Sequence, residues 1–452
     1  MREGQKKKMD KSELLTIFGC TEEEWRNRGW QIRNSVRSVS DVCSLFPDIT
    51  RERIRAIECH SIRYRFGIMP YMFRYLKFGE DGYPDIEDSL TGLFFPGVGL
   101  HTEQATSSYV SGEPKNWDRD ADFPLRQYGM TVLQHKYPDR VLLRLSGCLG
   151  LCLYCFECWR VLDKSISAHS WRQEWEAILD YLRKHEEVHE VVLSGGDPLA
   201  QTDKSISMIL QDLRSLSHIH RIRINTAVFM HCPMRITPEL VSIFNEFGVA
   251  EIGVHVLHPR QITEEFEQAL KMIGDMGSSI IQMRSQIPFL RGVNDNQETF
   301  VELCNGLANY GISGYYLLHS LPWTLGGDRV RTSVWKMASL LSSLKRSVSN
   351  IILPGAVIVA RTGKKSVPLK RALFWLDKEE VLGQTVWAID ENEVPLEQFA
   401  LKHKHGMYEF DGDVDFLYAQ YRGNPVVVFV NWLRENNHPD WQDRWEMYLD
   451  KS

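Results

Sequence analysis

The chain has 452 residues, of which 43% are apolar and 25% are charged, and its formal net charge is −6. This composition is ordinary for a globular protein with a large core, and the negative charge gives no reason to expect nucleic acid or an anionic membrane as a partner. No apolar run approaches the roughly 18 residues that span a bilayer, and the lysine-rich N-terminus lacks the apolar core of a signal peptide.

The distribution of the nine cysteines indicates the compartment. Their number is odd and four of them are clustered, which suits a reducing environment better than a disulfide framework. We therefore expect a cytoplasmic protein.

The first hundred residues predict helices. Apolar residues recur at helical spacing over residues 22–43 and again over residues 51–63. Between residues 84 and 126 the composition shifts to Gly, Pro, Ser and Asp, which predicts a long connecting or covering loop. Residues 1–130 are assigned to this helical N-terminal region.

From residue 141 short apolar runs alternate with amphipathic stretches of helical period. The runs are Val141–Leu145, Glu190–Leu193, Arg221–Asn225, Glu251–His255, Ser279–Gln286 and Gly314–Leu318. The helical stretches are Trp171–Lys184, Lys204–Leu216, Pro238–Phe247, Thr263–Met276 and Gln297–Tyr310. The alternation predicts an α/β fold with a parallel sheet, and six units fit either an open barrel or a doubly wound sheet. In both, functional groups gather at the carboxyl ends of the strands.

We place this α/β domain at residues 131–340 and a small mixed C-terminal segment at residues 341–452. The candidate strands of that segment are Ile351–Ala360, Val381–Ile389, Met407–Phe410 and Pro425–Trp432.

Four cysteines follow the first predicted strand. Cys148, Cys152 and Cys155 have the spacing C-x3-C-x2-C, and Cys158 comes next. This differs from the paired C-x2-C of zinc sites, and iron–sulfur clusters are normally held by four thiolates. Three thiolates would leave one iron open for chemistry, whereas a fourth from Cys158 would close the shell. Spacing alone leaves both alternatives open.

A glycine motif follows the second predicted strand. Gly195 and Gly196, within Ser194-Gly-Gly-Asp197, would let the backbone approach a small polar ligand. Because parallel strands end at one edge of a sheet, we expect this motif beside the cysteines.

The cysteine register and the glycine motif together resemble the radical S-adenosylmethionine superfamily. The resemblance implies a [4Fe–4S] cluster on Cys148, Cys152 and Cys155, S-adenosylmethionine on the open iron, and Cys158 outside the shell. The residues it assigns to S-adenosylmethionine are Ser194, Gly195, Gly196, Asp197 and His258. His255 is the alternative to His258, and either histidine could instead cap a strand.

A closer resemblance is to the lysine 2,3-aminomutase family. The matching segments are His135–Leu143, Val192–Leu199, Arg235–Leu240, His255–Pro259, Arg291–Asp295, Tyr315–Leu317 and Arg331–Val334, with Trp30–Asn34 and Phe66–Pro70 in the N-terminal region. The resemblance implies a partial (β/α)6 barrel of the radical S-adenosylmethionine type and pyridoxal 5'-phosphate as a further cofactor. It also implies an electron donor such as a flavodoxin or ferredoxin, and assembly into homo-oligomers.

The resemblance assigns residues to pyridoxal phosphate. The catalytic lysine that holds the cofactor would be Lys365, and Lys364 is the alternative. If no cofactor binds, both would be exposed lysines in a turn. The phosphate contacts would be Lys136, Tyr137, Arg140 and Gln286.

Three departures from the family pattern concern the substrate. Lysine-acting members neutralise the distant ammonium of lysine with two aspartates, where this chain has Leu321 and Val359. Glu157 stands where the family has an arginine for the substrate carboxylate. Either another arginine takes over that role or the substrate presents no carboxylate there. The candidate replacements are Arg160, Arg284 and Arg361.

The resemblance thus implies an aminomutase-type isomerase that shifts an amino group between adjacent carbons of a small-molecule substrate, an amino acid or amine other than lysine. One alternative is a radical enzyme on the same scaffold without pyridoxal phosphate. The other is a non-catalytic iron–sulfur or zinc-binding protein that uses all four clustered cysteines.

Overall fold

The structure is a computed structural model of the chain. It describes residues 7–96, 130–162, 164, 171–320, 324–325, 330, 332, 334–345, 347–360, 363–366, 416–421 and 424–429.

The strands of the described residues are β1 (Lys7–Lys8), β2 (Lys77–Phe78), β3 (Leu133–Tyr137), β4 (Arg140–Leu145), β5 (Glu190–Gly195), β6 (Arg221–Thr226), β7 (Glu251–His255), β8 (Gln282–Phe289), β9 (Ser313–His319), β10 (Gly355–Ala360), β11 (Gly363–Ser366), β12 (Phe416–Tyr421) and β13 (Asn424–Phe429). The helices are α1 (Lys11–Ile17), α2 (Glu22–Trp25), α3 (Arg28–Arg33), α4 (Val39–Leu45), α5 (Arg51–Arg63), α6 (Cys158–Val161), α7 (Trp171–Lys184), α8 (Asp203–Arg214), α9 (Val228–His231), α10 (Pro238–Glu246), α11 (Glu264–Met276), α12 (Gln297–Ala308) and α13 (Val334–Leu344).

The central sheet contains the nine strands β3 to β11, in the order of the chain. Strands β4 to β10 run parallel, and β3 and β11 pair antiparallel at the two edges. The strand order does not reverse, as it would in a doubly wound sheet. The edge strands also meet, because the Tyr137 hydroxyl on β3 accepts a hydrogen bond from the Lys364 backbone N–H on β11 at 2.5 Å. The sheet is therefore a partial barrel, as the resemblance implies.

Helices fill the connections between the parallel strands because their sequences supply both caps and apolar faces. The side chains of Thr202, Thr237, Thr263 and Asn296 each accept a hydrogen bond from a backbone N–H in the first turn of the helix that follows. Helix α7 buries one face, with Trp171, Trp175, Ile178, Leu179 and Leu182 spaced as the helical period requires.

The N-terminal helices pack against the carboxyl end of the barrel. The Trp25 indole donates a hydrogen bond to Glu265 on α11 at 3.3 Å. The Tyr75 hydroxyl donates to the backbone carbonyl of Met230 on α9 at 2.9 Å. This region therefore covers the rim where the motifs lie.

The six predicted strand–helix units are confirmed, with local differences. The fifth strand begins at Gln282 rather than Ser279, because a turn occupies residues 279–280 and Ile280 is exposed. Residues 22–43, predicted as one helical run, form separate short helices because Asn27 and Ser38 cap new helices within it.

Beyond residue 340, β10 and β11 join the central sheet, and β12 and β13 form a separate hairpin. The predicted strands Val381–Ile389 and Met407–Phe410 lie outside the described residues. The division of the chain at residues 130 and 340 stays a prediction. In the part of the chain that is described, no helix is long and apolar enough to cross a bilayer.

Candidate active site

The three predicted ligand cysteines lie on the loop that follows β4. Cys148, Cys152 and Cys155 are partly buried, and burial is the first cause that raises the pKa of each thiol, to about 12 for Cys152. Neighbouring thiols contribute to the raised pKa of Cys148 and Cys155, so the sulfur atoms share one region. The Cys158 thiol also contributes to the raised pKa of Cys155, but Cys158 is only 4% exposed and belongs to the hydrophobic core at the start of α6.

No three His, Cys, Asp or Glu side chains among the described residues converge on a point that would suit a single metal ion. His231, which the sequence did not single out, lies with its Nε2 atom 3.2 Å from the Cys152 sulfur. Burial lowers the pKa of His231 to about 3, so its ring is neutral.

The glycine motif packs directly against the cysteine loop. A Cβ atom on Gly196 would lie 2.2 Å from the carbonyl oxygen of Gly147, and one on Gly195 would lie 2.4 Å from the Cα of Arg144. Gly195 also has a φ of +99°, in the region that favours glycine. The backbone N–H of Asp197 donates to the Gly147 carbonyl at 2.7 Å. Both glycines are therefore required by the close contact of the two motifs.

The Asp197 carboxylate links the ends of two strands. It accepts hydrogen bonds from the Leu199 N–H at 2.9 Å, the Thr226 hydroxyl at 2.7 Å and the Ala227 N–H at 2.8 Å. Burial raises the pKa of Asp197. Its oxygens therefore link the chain after β5 to the end of β6. Ser194, near the end of β5, pairs with Arg144 in the neighbouring strand β4.

The two candidate histidines have different surroundings. His258 caps a short turn, with its Nδ1 atom accepting from the Arg260 N–H at 3.0 Å. His255 lies 3.2 Å from Gln286, whose amide donates to Asn225 at 2.8 Å. Burial lowers the pKa of both histidines to about 4.

A cavity of about 1040 Å³ lies at the carboxyl end of β4 and β5. Cys148, Gly195 and Gly196 line it, so the two motifs open into one space. Residues of the N-terminal region, among them Arg37 and Arg65, form another part of its wall.

A smaller cavity of about 110 Å³ lies deeper in the barrel. It contains all four predicted phosphate contacts, together with Lys364 and residues that the sequence did not single out. Its polar lining consists of Gln134, Lys136, Tyr137, Arg140, Arg223, Asn225, Gln286, Tyr316 and Lys364.

Lys364 is the buried amine of this cavity. Burial and the nearby cations Arg223, Arg140 and Lys136 lower the pKa of Lys364 to about 7. Its Nζ atom lies 4.3 Å from the centre of the Tyr316 ring. The backbone of Lys365 pairs with Ile358 one position along β11, and its side chain lies outside the described residues.

A bulge in β9 places two tyrosines side by side. The register of β8 and β9 shifts between Ser285 and Gln286, so that Gln286 pairs with Tyr316 and Tyr315 is the extra residue. The Tyr315 and Tyr316 rings stack with centres 3.7 Å apart. The Tyr315 hydroxyl accepts from Arg223 at 3.1 Å, which holds that arginine beside the small cavity.

The candidates for the substrate carboxylate lie in different places. Arg160 lines the large cavity and lies 3.1 Å from the Glu157 carboxylate, which Arg144 approaches at 3.7 Å. Arg284 is paired with Glu251 at 3.0 Å and lines neither cavity formed by the described residues. Arg361 and Leu321 lie outside the described residues, whereas Val359 lines the small cavity.

Known proteins resemble this chain over much of its length. Residues 143–304 match the model of the Radical SAM superfamily. The chain is 30% identical to the L-lysine 2,3-aminomutase of Clostridium subterminale over 347 residues, which are 76% of this chain and 78% of that protein. It is 26% identical to the glutamate 2,3-aminomutase of Clostridioides difficile over 360 residues, 79% of this chain and 80% of that protein. It is 32% identical to the L-lysine 2,3-aminomutase of Escherichia coli K12 over 235 residues, 51% of this chain and 67% of that protein.

Proposed function

The chain belongs to the lysine 2,3-aminomutase family of radical S-adenosylmethionine enzymes, and from this premise we propose that it shifts an amino group between adjacent carbons of an amino acid other than lysine. We further propose that pyridoxal phosphate takes part and that Lys364 holds it. The observation that carries the proposal is a buried lysine of lowered pKa inside a cavity lined by cations.

Two groups of residues at the barrel rim would serve the cofactors of the superfamily. Cys148, Cys152 and Cys155 would hold the cluster, and the backbone at Gly195 and Gly196 would form one wall of the S-adenosylmethionine site. When bound, the cluster and S-adenosylmethionine supply the carbon radical that removes a hydrogen atom from the substrate, and pyridoxal phosphate supplies a carbonyl for the amino group and a ring that delocalises an unpaired electron.

The small cavity suits pyridoxal phosphate by its charges. Lys136, Arg140 and Arg223 line it together, and all three can donate charge-assisted hydrogen bonds to a phosphate. Arg223 is also paired with Glu190 and Glu251, which hold its guanidinium in place. The same cations, with burial, keep Lys364 partly neutral at pH 7, and a neutral amine is the form that attacks a carbonyl. A nucleophilic lysine amine and cationic groups for the phosphate are what this cofactor requires.

The choice between the two lysines rests on the register of β11. Lys364 pairs with Val359, and both line the small cavity. Successive positions of a strand alternate between the two faces of a sheet, so the backbone position after Lys364 belongs to the other face. We therefore assign the cofactor to Lys364, the alternative that the sequence ranked second.

Val359 favours a substrate other than lysine. It lines the cavity of Lys364 at a position where lysine-acting members of the family have a carboxylate. An ammonium group buried beside valine would lack an ionic partner, at a cost of about 3 to 5 kcal/mol. A relative named glutamate 2,3-aminomutase matches 79% of this chain, which supports a family with more than one substrate.

The test is a product analysis. Protein reconstituted anaerobically with iron, sulfide and pyridoxal phosphate is mixed with S-adenosylmethionine, a reductant such as reduced flavodoxin, and each common amino acid in turn. We expect a β-amino acid from at least one substrate other than lysine, and we expect Lys364→Ala to abolish it.

Two results would contradict the proposal. Lysine as the best substrate would contradict the assignment of specificity. Reductive cleavage of S-adenosylmethionine to 5'-deoxyadenosine, with no amino acid isomer and no bound pyridoxal phosphate, would favour the alternative of a radical enzyme without that cofactor.

A further inference from the structure

We propose that His231 donates a hydrogen bond from its Nε2–H group to the sulfur of Cys152 and thereby raises the reduction potential of the iron–sulfur cluster. The inference rests on the proposed cluster ligands, but not on pyridoxal phosphate or on the identity of the substrate.

The contact joins two parts of the barrel rim. The Nε2 atom of His231, at the end of α9, lies 3.2 Å from the Cys152 sulfur on the loop after β4. His231 is only 2% exposed, so water does not compete for this contact. The two residues are 79 positions apart in the sequence, and the fold alone brings them together.

Close packing holds the imidazole ring in place. A Cβ atom on Gly150 would lie 2.8 Å from the Cγ and Cδ2 atoms of His231, so the ring rests on the backbone of the cysteine loop and a larger residue would displace it. The Phe94 ring lies at 87° to the imidazole, with the ring centres 6.2 Å apart. These contacts keep Nε2 directed at Cys152.

Hydrogen bonds anchor the short helix that carries His231. The Asp197 carboxylate accepts from the Ala227 N–H at 2.8 Å, at the start of α9. The Tyr75 hydroxyl donates to the Met230 carbonyl at 2.9 Å. The donor is therefore fixed by the same carboxylate that links the chain after β5 to the end of β6.

The chemistry of the pair decides which atom carries the proton. A cysteine that binds iron does so as a thiolate, which can only accept a hydrogen bond. The Nδ1 atom of His231 is buried and has no hydrogen-bond partner among the described residues. A proton on Nδ1 alone would leave a buried donor unsatisfied and turn the Nε2 lone pair toward the negative sulfur, whereas a proton on Nε2 avoids both costs.

The expected effect follows from the charge of the reduced cluster. Reduction adds negative charge, part of which the ligand sulfurs carry, so an N–H dipole directed at a sulfur stabilises the reduced form more than the oxidised form. Burial raises the pKa of the Cys152 thiol, and the Tyr154 hydroxyl opposes that increase through a hydrogen bond, so His231 is one of two polar neighbours of this sulfur. His231 acts through Cys152 and is therefore a positioning residue.

The test is a redox titration of the full-length reconstituted protein, followed by electron paramagnetic resonance of the reduced cluster. Glutamine and methionine side chains have equal length, but only the glutamine amide can donate near the position of Nε2. We expect His231→Met to lower the ratio of reduced to oxidised cluster at a fixed potential about tenfold, which is a shift of about 59 mV for one electron. His231→Gln should stay within about threefold of the unaltered protein. His189→Met, an exposed change just before β5, is the control and should not alter the ratio.

A second measurement keeps His231 in place. Pulsed electron paramagnetic resonance of protein labelled with 15N-histidine, without S-adenosylmethionine, should show a weak coupling between a histidine nitrogen and the reduced cluster. Absence of that coupling would overturn the inference. An unchanged midpoint potential in His231→Met would also overturn it, and so would equal shifts in His231→Met and His231→Gln, since these would indicate packing alone.

The outcomes distinguish this inference from the proposed function. If Cys152→Ala still assembles the same cluster, the ligand assignment fails and the inference fails with it. If the cluster needs Cys152 but its potential does not depend on the residue at position 231, the inference alone fails. If His231→Met lowers the potential, His231→Gln retains it and no amino acid isomer forms, the inference stands and the aminomutase assignment fails.

Discussion

The state of Lys364 can be tested directly, without any cofactor. Its pKa is lowered to about 7 from an ordinary 10.5, first by burial and then by Arg223, Arg140 and Lys136. At pH 7 half of the Lys364 amines are then neutral, whereas an ordinary lysine is neutral in about one molecule in 3,000. Because only the neutral amine reacts with acylating reagents, the rate of labelling should rise with pH and reach half of its maximum near pH 7.

The assay is competitive acetylation of the cofactor-free protein between pH 5 and 11, followed by mass spectrometry of the peptide that contains Lys364. The exposed Lys184 serves as the reference. The midpoint of the curve depends on the pKa and not on how accessible the amine is. Arg140→Met should move the midpoint to higher pH, since it removes one of the repelling cations.

A midpoint for Lys364 near 10.5 would refute the electrostatic argument. The variants Lys364→Ala and Lys365→Ala then identify the residue that holds the cofactor. After incubation with pyridoxal phosphate and reduction with borohydride, we expect a stable cofactor adduct in Lys365→Ala and none on β11 in Lys364→Ala. The reverse pattern would support the ranking that the sequence alone suggested.

Other changes test the rim of the barrel. Cys155→Ala should abolish the visible absorption of a reconstituted iron–sulfur cluster. Cys158→Ala should retain that absorption, because Cys158 belongs to the hydrophobic core. Loss of the cluster in Cys158→Ala would favour a closed shell of four thiolates. Gly196→Ala should lower the free energy of unfolding by about 1 to 3 kcal/mol in urea titrations, since its Cβ would lie 2.2 Å from the Gly147 carbonyl oxygen. Asp197→Asn should lower it by about 1 to 3 kcal/mol in the same assay, because an amide cannot accept all three hydrogen bonds.

Some features of the protein follow from local sequence. The strands after residue 140 are short apolar runs bounded by turn residues, and Glu251–His255 is predicted with the boundaries that the structure has. Helix α7 is likewise predicted at both ends, because its apolar residues keep a single helical period. The cysteine and glycine motifs are predicted at one rim because parallel strands end together, and the structure brings them into contact through Gly147 and Gly196.

Other features depend on side chains that are distant in the sequence. Only the tertiary structure decided these features. The preference for Lys364 depends on the pairing of β11 with β10 and on cations from β3, β4 and β6, because one residue of register changes the face of a strand. Glu157 looked like a group that would repel a substrate carboxylate. It lies instead beside Arg144, a strand residue that carries no motif, and Arg160. Local sequence thus determined the elements, whereas the order of the strands in the sheet and the charges that surround each group were decided by folding, since both depend on contacts between residues distant in the sequence.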